Sequence, residues 1–393
     1  MSGKTHPWGV PPWAIDFRPK PCVLPDQVDL AIVGGGFTGL SAAAWLRKLA
    51  PEKSVLVLEA SSIGEGASGR TGGLALADTA AGPMPGLGDV LAGYKKILSA
   101  LRVDAGLELP GVYELGRSNP AKDSPICWSD AGDLQVVRTV PGGPVDPGKV
   151  VAGLARAAEP AGAQILEHTE VHVIEYSNPL RLRVGHKVRG RFQQKEVRAA
   201  QILLATNAFS LELSDLRGAT QPKLTLALAT APLTAAQLKA SGLSSRRPFY
   251  TIDLPYLWGR LLESNGVVFG AGLVPMPTSG ASLFGKPSQH AQKFASPNLY
   301  RFDVRKGEAE ESFRWLESRV HHLHPALKSA RITHRWAGPI LFTEGMRPIF
   351  RRHPQSENVI VLAGYNGHGV ALSVYLGQWA AEALLGRRSL PSW

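Results

Sequence analysis

Cysteine is nearly absent. Cys22 and Cys127 are the only two in 393 residues, too few for a disulfide framework or a cysteine-built metal cluster. A reducing, cytoplasmic setting is therefore expected. Long apolar runs are missing too. None approaches the ~20 residues that cross a bilayer, so no membrane partner is expected. The opening stretch, Met1 to Pro21, carries prolines and tryptophans where a secretion signal would have an apolar centre. His321, His322 and His324 stand close together before Pro325, but no cysteine or acid beside them completes a ligand set, and no metal is expected.

Acidic residues are also in deficit. Lys and Arg number 43 against 32 Asp and Glu, a net charge of +11. The densest basic segment, Arg181 to Arg198, includes Arg183, Lys187, Arg189, Arg191 and Lys195, with Leu182, Val184, Val188 and Phe192 between the charges. That mixture suggests a hairpin with one solvated face and one face on the protein. Aromatic residues for base stacking are scarce there, so nucleic acid is not the expected partner. An RNA-modifying role stays open as an alternative. Hydrophobic residues at 44% and charged residues at 19% are ordinary for a globular chain, and the length favours two domains.

The organising stretch is Ala31-Ile-Val-Gly-Gly-Gly-Phe-Thr-Gly-Leu40. Val28 to Val33 reads as a buried strand, and Leu40 to Ala50 as a helix stopped by Pro51. Ser54 to Leu58 is a second strand, and Glu59 follows it. Gly34, Gly36 and Gly39 match G-x-G-x-x-G, and Glu59 lies about 20 residues further on, where a dinucleotide-binding βαβ unit has its acid. In that setting Gly34 permits the turn, Gly36 lets backbone approach a pyrophosphate, and Gly39 lets helix and strand pack closely. The helix N-terminus offers N–H groups to the phosphates, and Glu59 accepts hydrogen bonds from the ribose.

Met1 to Asp26 reads as an extended arm pinned by Trp8, Trp13 and Phe17. Ser61 to Gly73 is dense in small residues, suited to lie against something flat. Tyr94 to Leu109 looks helical, and Val112–Leu115 and Leu134–Val137 look like strands. A helix is expected from Pro147 to about Ala161. A strand follows from Gln164 to Tyr176, and another from Val197 to Asn207. From Leu224 to Leu273 the pattern turns to strands (Leu224–Ala229, Phe249–Ile252, Leu257–Leu262, Gly266–Phe269), the mark of a mainly antiparallel sheet. Leu283 to Asn298 reads as a loop and Glu308 to His322 as a helix. Val359 to Val370 is a strand and a glycine turn, opening a helix from about Ala371 to Leu385.

The glycine turn with Glu59, Gly66-Ala-Ser-Gly-Arg-Thr-Gly-Gly73, Leu204-Ala-Thr-Asn207 and Gly364-Tyr-Asn-Gly-His-Gly369 together resemble the D-amino-acid-oxidase-type family of FAD-dependent oxidoreductases. The γ-glutamylputrescine-oxidase-like branch is the most similar. The resemblance implies an α/β fold: a Rossmann-like FAD-binding domain on a parallel sheet, with a mainly antiparallel (α+β) substrate domain, discontinuous in sequence. On that division 1–26 is the arm. Residues 27–75, 145–215 and 335–393 form the FAD-binding domain, and 76–144 and 216–334 the substrate domain.

The resemblance further implies a flavin site. FAD would meet Gly34, Gly36, Phe37, Thr38 and Gly39 at the first turn, and Glu59 and Ala60 at the adenosine end. Gly66, Ala67, Ser68, Gly69, Arg70, Thr71, Gly72 and Gly73 would line the pyrophosphate and flavin. Val171 would hold the adenine. Thr206, Asn207, Gly338, Asn366, Gly367, His368, Gly369 and Val370 complete the set. Sarcosine oxidases attach FAD through a cysteine in the segment matching Trp336-Ala-Gly-Pro339, which has none here, so non-covalent FAD is expected. Their carboxylate-clamping lysine is matched by Ala371 or a close neighbour. The implied reaction is oxidation of a C–H beside an amine nitrogen, with hydride transfer to flavin N5, imine hydrolysis and reoxidation by dioxygen to hydrogen peroxide. A dehydrogenase using another acceptor and a flavin-bearing partner-binding protein remain alternatives. Candidates for substrate handling are Tyr250, Tyr256 and Arg260 on or beside second-domain strands, Arg347 in Gly345-Met-Arg-Pro348, and His368. Arg260 is read as a possible bidentate clamp for a carboxylate.

Overall fold

The computed structural model describes residues 6–118, 123–188, 191–271 and 303–393. The strand Gln27–Val33 lies inside the first sheet. Its side chains serve two cores: Leu30 and Ile32 enter one, Ala31 and Val33 the other. A strand covered on both faces has to be apolar throughout, which is why this stretch reads as an unbroken run. Val55–Leu58 and Arg191–Leu204 flank it in parallel. Ala163–Leu166 and Ser356–Ala363 extend the sheet outward, also in parallel, and Ile349–His353 closes one edge antiparallel.

Six helices are described: α1 (Phe37–Leu49), α2 (Val90–Ala100), α3 (Pro147–Ala158), α4 (Ala235–Ala240), α5 (Gly307–Leu323) and α6 (Gly369–Leu384). Side chains of α1, α2, α3 and α6 share the core that holds Leu30 and Ile32. The other face is covered by the antiparallel strands Thr169–Glu175 and Leu180–Val188, which pair onward with Arg191–Leu204. The basic segment is thus the expected hairpin. Leu182, Val184 and Val197 are buried in the core with Leu56 and Leu58, while Arg183 points out to an ion pair with Glu175.

The second sheet runs in the order Ile332–Thr343, Thr220–Thr230, Val267–Ala271, Trp258–Leu261, Phe249–Thr251, Val112–Gly116, Asp133–Val140, Cys127–Ser129. Neighbours are antiparallel except Phe249–Thr251 with Val112–Gly116. Helix α5 covers one face, seating Phe313, Leu316 and Val320 on Leu226, Leu228, Phe249 and Phe269. The alternate positions Ala227, Ala229 and Val268 form the opposite face with Trp336 and Trp258. Among the described residues no helix is long and apolar enough to cross a membrane.

The structure corrects several boundaries. The helix expected over Tyr94–Leu109 spans Val90–Ala100. Asp89 caps its start by accepting from Ala92 N–H, and the chain leaves the helix at Arg102, whose φ is +54°. The single strand expected over Gln164–Tyr176 is two, because His168 at φ +53° turns the chain from the parallel sheet into the meander. The division at residue 335 falls inside the strand Ile332–Thr343. That strand pairs with Thr220–Thr230 along its length and bridges both halves, with Ala337 in the second-sheet core and Leu341 in the first. Helix α2, assigned by sequence to the second domain, packs with the first-sheet helices. The loop expected over 283–298 lies outside the described residues.

Gly39 bears on all of this packing. A Cβ there would stand 2.0 Å from the carbonyl oxygen of Gly34, a backbone atom that cannot yield without moving α1 off its strand. Gly39→Ala should lower unfolding stability by about 2–3 kcal/mol, at the upper end for ordinary point substitutions, as read by denaturant titration.

Candidate active site

A cleft of about 930 Å³ runs along the carboxyl ends of the first-sheet strands and under the inner face of the second sheet. It lies where the strand order reverses about Gln27–Val33, the usual ligand crevice of an open α/β sheet. Helix α1 begins there because Gly34–Gly36 break the strand. Loop 66–73 is docked on that start, with Ser68 Oγ accepting from Phe37 N–H at 2.9 Å. Helix α6 begins at the same cleft after the turn Gly364–His368, and Thr38 Oγ1 and Tyr365 Oη share a 2.6 Å hydrogen bond between the two helix starts.

Neither N-cap residue, Gly36 nor His368, caps its own helix, and α5 lacks such a cap too, whereas α2, α3 and α4 are capped by Asp89, Asp146 and Thr234; at α1, Ser68 Oγ takes the Phe37 N–H. The first N–H groups of a helix lack intrahelical partners and stand at its positive end. Both starts open into one cleft, and the N–H groups that no side chain takes leave it two places for negative charge.

Glu59 ends the strand Val55–Leu58 at one end of the cleft. Its carboxylate accepts from Gly35 N–H at 2.8 Å and Ser61 N–H at 2.9 Å, which leaves lone pairs for a ligand. Burial pushes its carboxyl above the usual range, and those two N–H bonds oppose the shift. Of the expected cofactor residues, Gly34, Gly36, Phe37, Thr38, Ala60, Gly66, Ala67, Ser68, Arg70, Thr71, Gly72, Val171, Thr206, Asn207, Gly338, Asn366, Gly367, His368, Gly369 and Val370 also line the cleft.

Gly39, Gly69 and Gly73 do not. Gly39 faces the turn behind it. Gly69 O accepts from Trp13 Nε1 at 2.7 Å on the arm side, and Gly73 O accepts from Val145 N–H at 2.9 Å. Asn207 and Asn366 brace the α6 turn with their side chains. Asn207 Oδ1 accepts from Gly364 N–H at 3.0 Å, and Asn366 Oδ1 accepts from Thr343 N–H at 2.8 Å. The Arg70 guanidinium is likewise engaged, donating to Glu65 O and Gly9 O at 2.9 Å each and lying 3.6 Å from the Glu65 carboxylate. Burial lowers its pKa to about 10.

The substrate candidates separate. Tyr250, Tyr256 and His368 line the cleft. Arg260 does not, which removes it as a carboxylate clamp. It is buried behind Gly72, donates to Gly72 O at 2.5 Å and lies 5.3 Å from the Trp13 ring. The intervening wall is Trp258, whose ring fills the space over Gly72 so closely that a Cβ on Gly72 would fall 2.1 Å from it. Arg347 is exposed and outside the lining, while its neighbour Met346 lines the cleft. The positive φ of Gly345 and Met346 turns the chain there.

Sequence reasoning missed Trp8, Phe209, Trp258 and Tyr365 in the lining. Tyr365 sat inside a quoted motif, and Trp258 shares the strand and face of Arg260. Trp8 and Phe209, stacked at 5.9 Å, had no local signal. The three clustered histidines are engaged with backbone: His321 Nε2 and His322 Nδ1 lie 2.8 and 2.6 Å from carbonyl oxygens, and His324 Nδ1 accepts from Ala326 N–H. Among the described residues no group of His, Cys, Asp and Glu could hold a metal.

The model of the FAD-dependent oxidoreductase family matches residues 29–134 and 137–383. The chain belongs to that family. The γ-glutamylputrescine oxidoreductase of Escherichia coli K12 is 25% identical over 405 residues, covering 91% of this chain and 84% of the relative. The solved glycine oxidase of Geobacillus kaustophilus superposes with a TM-score of 0.63 at 20% identity, covering 93% and 96% of the two chains. The L-proline dehydrogenase of P. horikoshii gives 0.61 at 20% identity, covering 94% and 96%. These two likenesses show the fold. FAD is the cofactor of this oxidoreductase, and the residues present fit it: the Glu59 carboxylate and the starts of two helices line one cleft.

Two outcomes follow from this geometry. Glu59→Ala should weaken FAD binding to the apoprotein about tenfold or more, the worth of charged hydrogen bonds, measured by quenching of FAD fluorescence. His368 is pushed below its usual pKa, first by burial. A depressed pKa in the folded state means stability is intact above about pH 6.5 and is lost as pH falls below it. His6, His186, His334 and His353 are shifted the same way. Denaturant titration should find the protein less stable at pH 5.5 than at 7.5, with a smaller difference in His368→Gln.

Proposed function

We propose that this oxidoreductase oxidises the C–N bond of a small amine or amino acid, with dioxygen as the final electron acceptor. When bound, FAD supplies the hydride acceptor at N5 and passes the electrons to dioxygen, giving hydrogen peroxide. The protein's part is to orient the carbon beside the nitrogen, exclude water during transfer, and release an imine that water hydrolyses.

The observation that carries this reading is the shared lining of the cleft. Tyr250, Tyr256 and Trp258 from the second sheet and its turn, and His368 from the α6 start, line the same cleft as Glu59, as suits a site whose chemistry resides in its cofactor. His368, whose pKa burial lowers, lines the cleft as a hydrogen-bonding group. Non-covalent attachment is supported by the position of the two cysteines, neither of which lines the cleft.

Within the class, the residues favour an amine without an α-carboxylate. Among the described residues the single arginine in the lining is Arg70, no lysine lines the cleft, and Arg70 is occupied by backbone carbonyls. Ala371 is buried in the helix core. The names of the relatives, γ-glutamylputrescine oxidoreductase and glycine oxidase, span both kinds of substrate.

Anaerobic titration of the holoenzyme with amines and amino acids tests the reading. Loss of the flavin's visible absorbance with an amine, and its return with peroxide on admitting air, is the expected result. Return of colour only with an added acceptor would make it a dehydrogenase. No bleaching across the panel would overturn the proposal.

A further inference from the structure

Four residues form a register row across the second sheet. Arg138 stands opposite Glu114, Glu114 beside Tyr250, and Tyr250 opposite Trp258. Side chains at paired positions share a face of a sheet. The row therefore runs from solvent, where Arg138 is exposed, to the cleft wall at Trp258. In its middle Glu114 is buried, with 5% of its surface exposed. Arg138 Nε bonds one carboxylate oxygen, and the Tyr250 hydroxyl donates to the other at 2.5 Å.

The direction of that last bond has a chemical consequence. A carboxylate only accepts, and a phenol has one proton. With its proton held by Glu114, the Tyr250 oxygen has only acceptor capacity left, and Tyr250 lines the cleft. An N–H on the substrate can bond to it, whereas a carboxylate oxygen meets lone pairs. Burial and Glu114 together raise the Tyr250 pKa far above its ordinary value, so the group stays a phenol.

We propose that Glu114, acting through Tyr250, is a positioning residue that sets specificity: it turns the hydroxyl proton away from the cleft and so selects the N–H end of an amine over a carboxylate. The inference rests on the amine reading above and adds the group that receives the nitrogen. Glu114 does not line the cleft itself.

The test uses holoenzyme of wild type, Glu114→Gln, Tyr250→Phe and the double variant, with two readouts. Stopped-flow reduction by a primary alkylamine separates half-saturation from limiting rate. Perturbation of the flavin spectrum by tert-butylamine, which has no α-hydrogen to lose, gives a dissociation constant free of turnover. Each single variant should raise the half-saturating concentration and the dissociation constant about tenfold or more, with a smaller effect on the limiting rate. The double variant should be no worse than the singles, as for residues acting in series. Glu114→Gln should also narrow the preference for the amine over the amino acid of the same skeleton. Should Glu114→Gln fail to fold, Tyr250→Phe leaves the Glu114–Arg138 pair intact and carries the test alone. Unchanged tert-butylamine affinity in every folded variant overturns the inference. Absence of reduction by any amine in wild type would instead overturn the functional reading, and the binding measurement would still decide this one.

Discussion

Two helix starts that open into one cleft are the constraint around which this molecule is built. Their N–H groups and positive ends need negative charge, and the cleft is shaped to admit it. Because α1 and α6 also pack on each other, the two starts are not independent. Ser41 Oγ donates to Val374 O at 2.7 Å, and a Cβ on Gly377 would fall 2.7 Å from Thr38 O. Any shift of one helix moves both anion positions, so the contact between the helices registers one end of a bound dinucleotide against the other.

Around that pair, buried guanidinium groups do the work of fastening. Arg70 ties the arm and loop 66–73 together through backbone carbonyls, and Arg260 holds the same loop from behind at Gly72. Both lie near tryptophan rings of the arm, Trp8 and Trp13. A buried cation is costly unless bonded and compensated. Arg70 has carbonyl oxygens, a ring face and the Glu65 carboxylate at 3.6 Å, whereas Arg260 has the Gly72 carbonyl and the Trp13 ring, with its Nη2 unpartnered among the described residues. The arm is thereby part of the cleft, since Trp8 lines it and its carbonyl accepts from Ala337 N–H at 2.8 Å.

The second sheet supplies what the first lacks. The first sheet brings the glycine turns and Glu59 to the cleft, whereas the row behind Tyr250 is built from strands far apart in sequence. Arg138, Glu114, Tyr250 and Trp258 belong to four strands and meet only because the register aligns them. The same sheet gives α5 its seat on the opposite face, so the cleft lining on one side and core packing on the other share one set of strands.

Local chemistry made much of this legible. An unbroken apolar run followed by glycines and an acid has few other folded solutions, so the βαβ unit, the Glu59 end and the glycine turn before α6 could be read from the residues in order. Six of the eight strands of the second sheet were legible as strand-like runs, and the basic hairpin from its interleaved apolar positions; Ile332–Thr343 and Cys127–Ser129 were not read. Three-dimensional packing decided the rest. Arg260 and Arg347 carry the right group for a carboxylate, but charge says nothing of direction: one is sealed behind Gly72 and the other is exposed beyond Met346. Glu114 had no signal at all, because its importance comes from pairing with residues 24 and 136 positions away. Short-range order in the chain determined the fold and the anion sites, since both follow from backbone geometry within a few residues. Which side chains meet the substrate was decided by strand register and helix packing, which depend on residues distant in sequence.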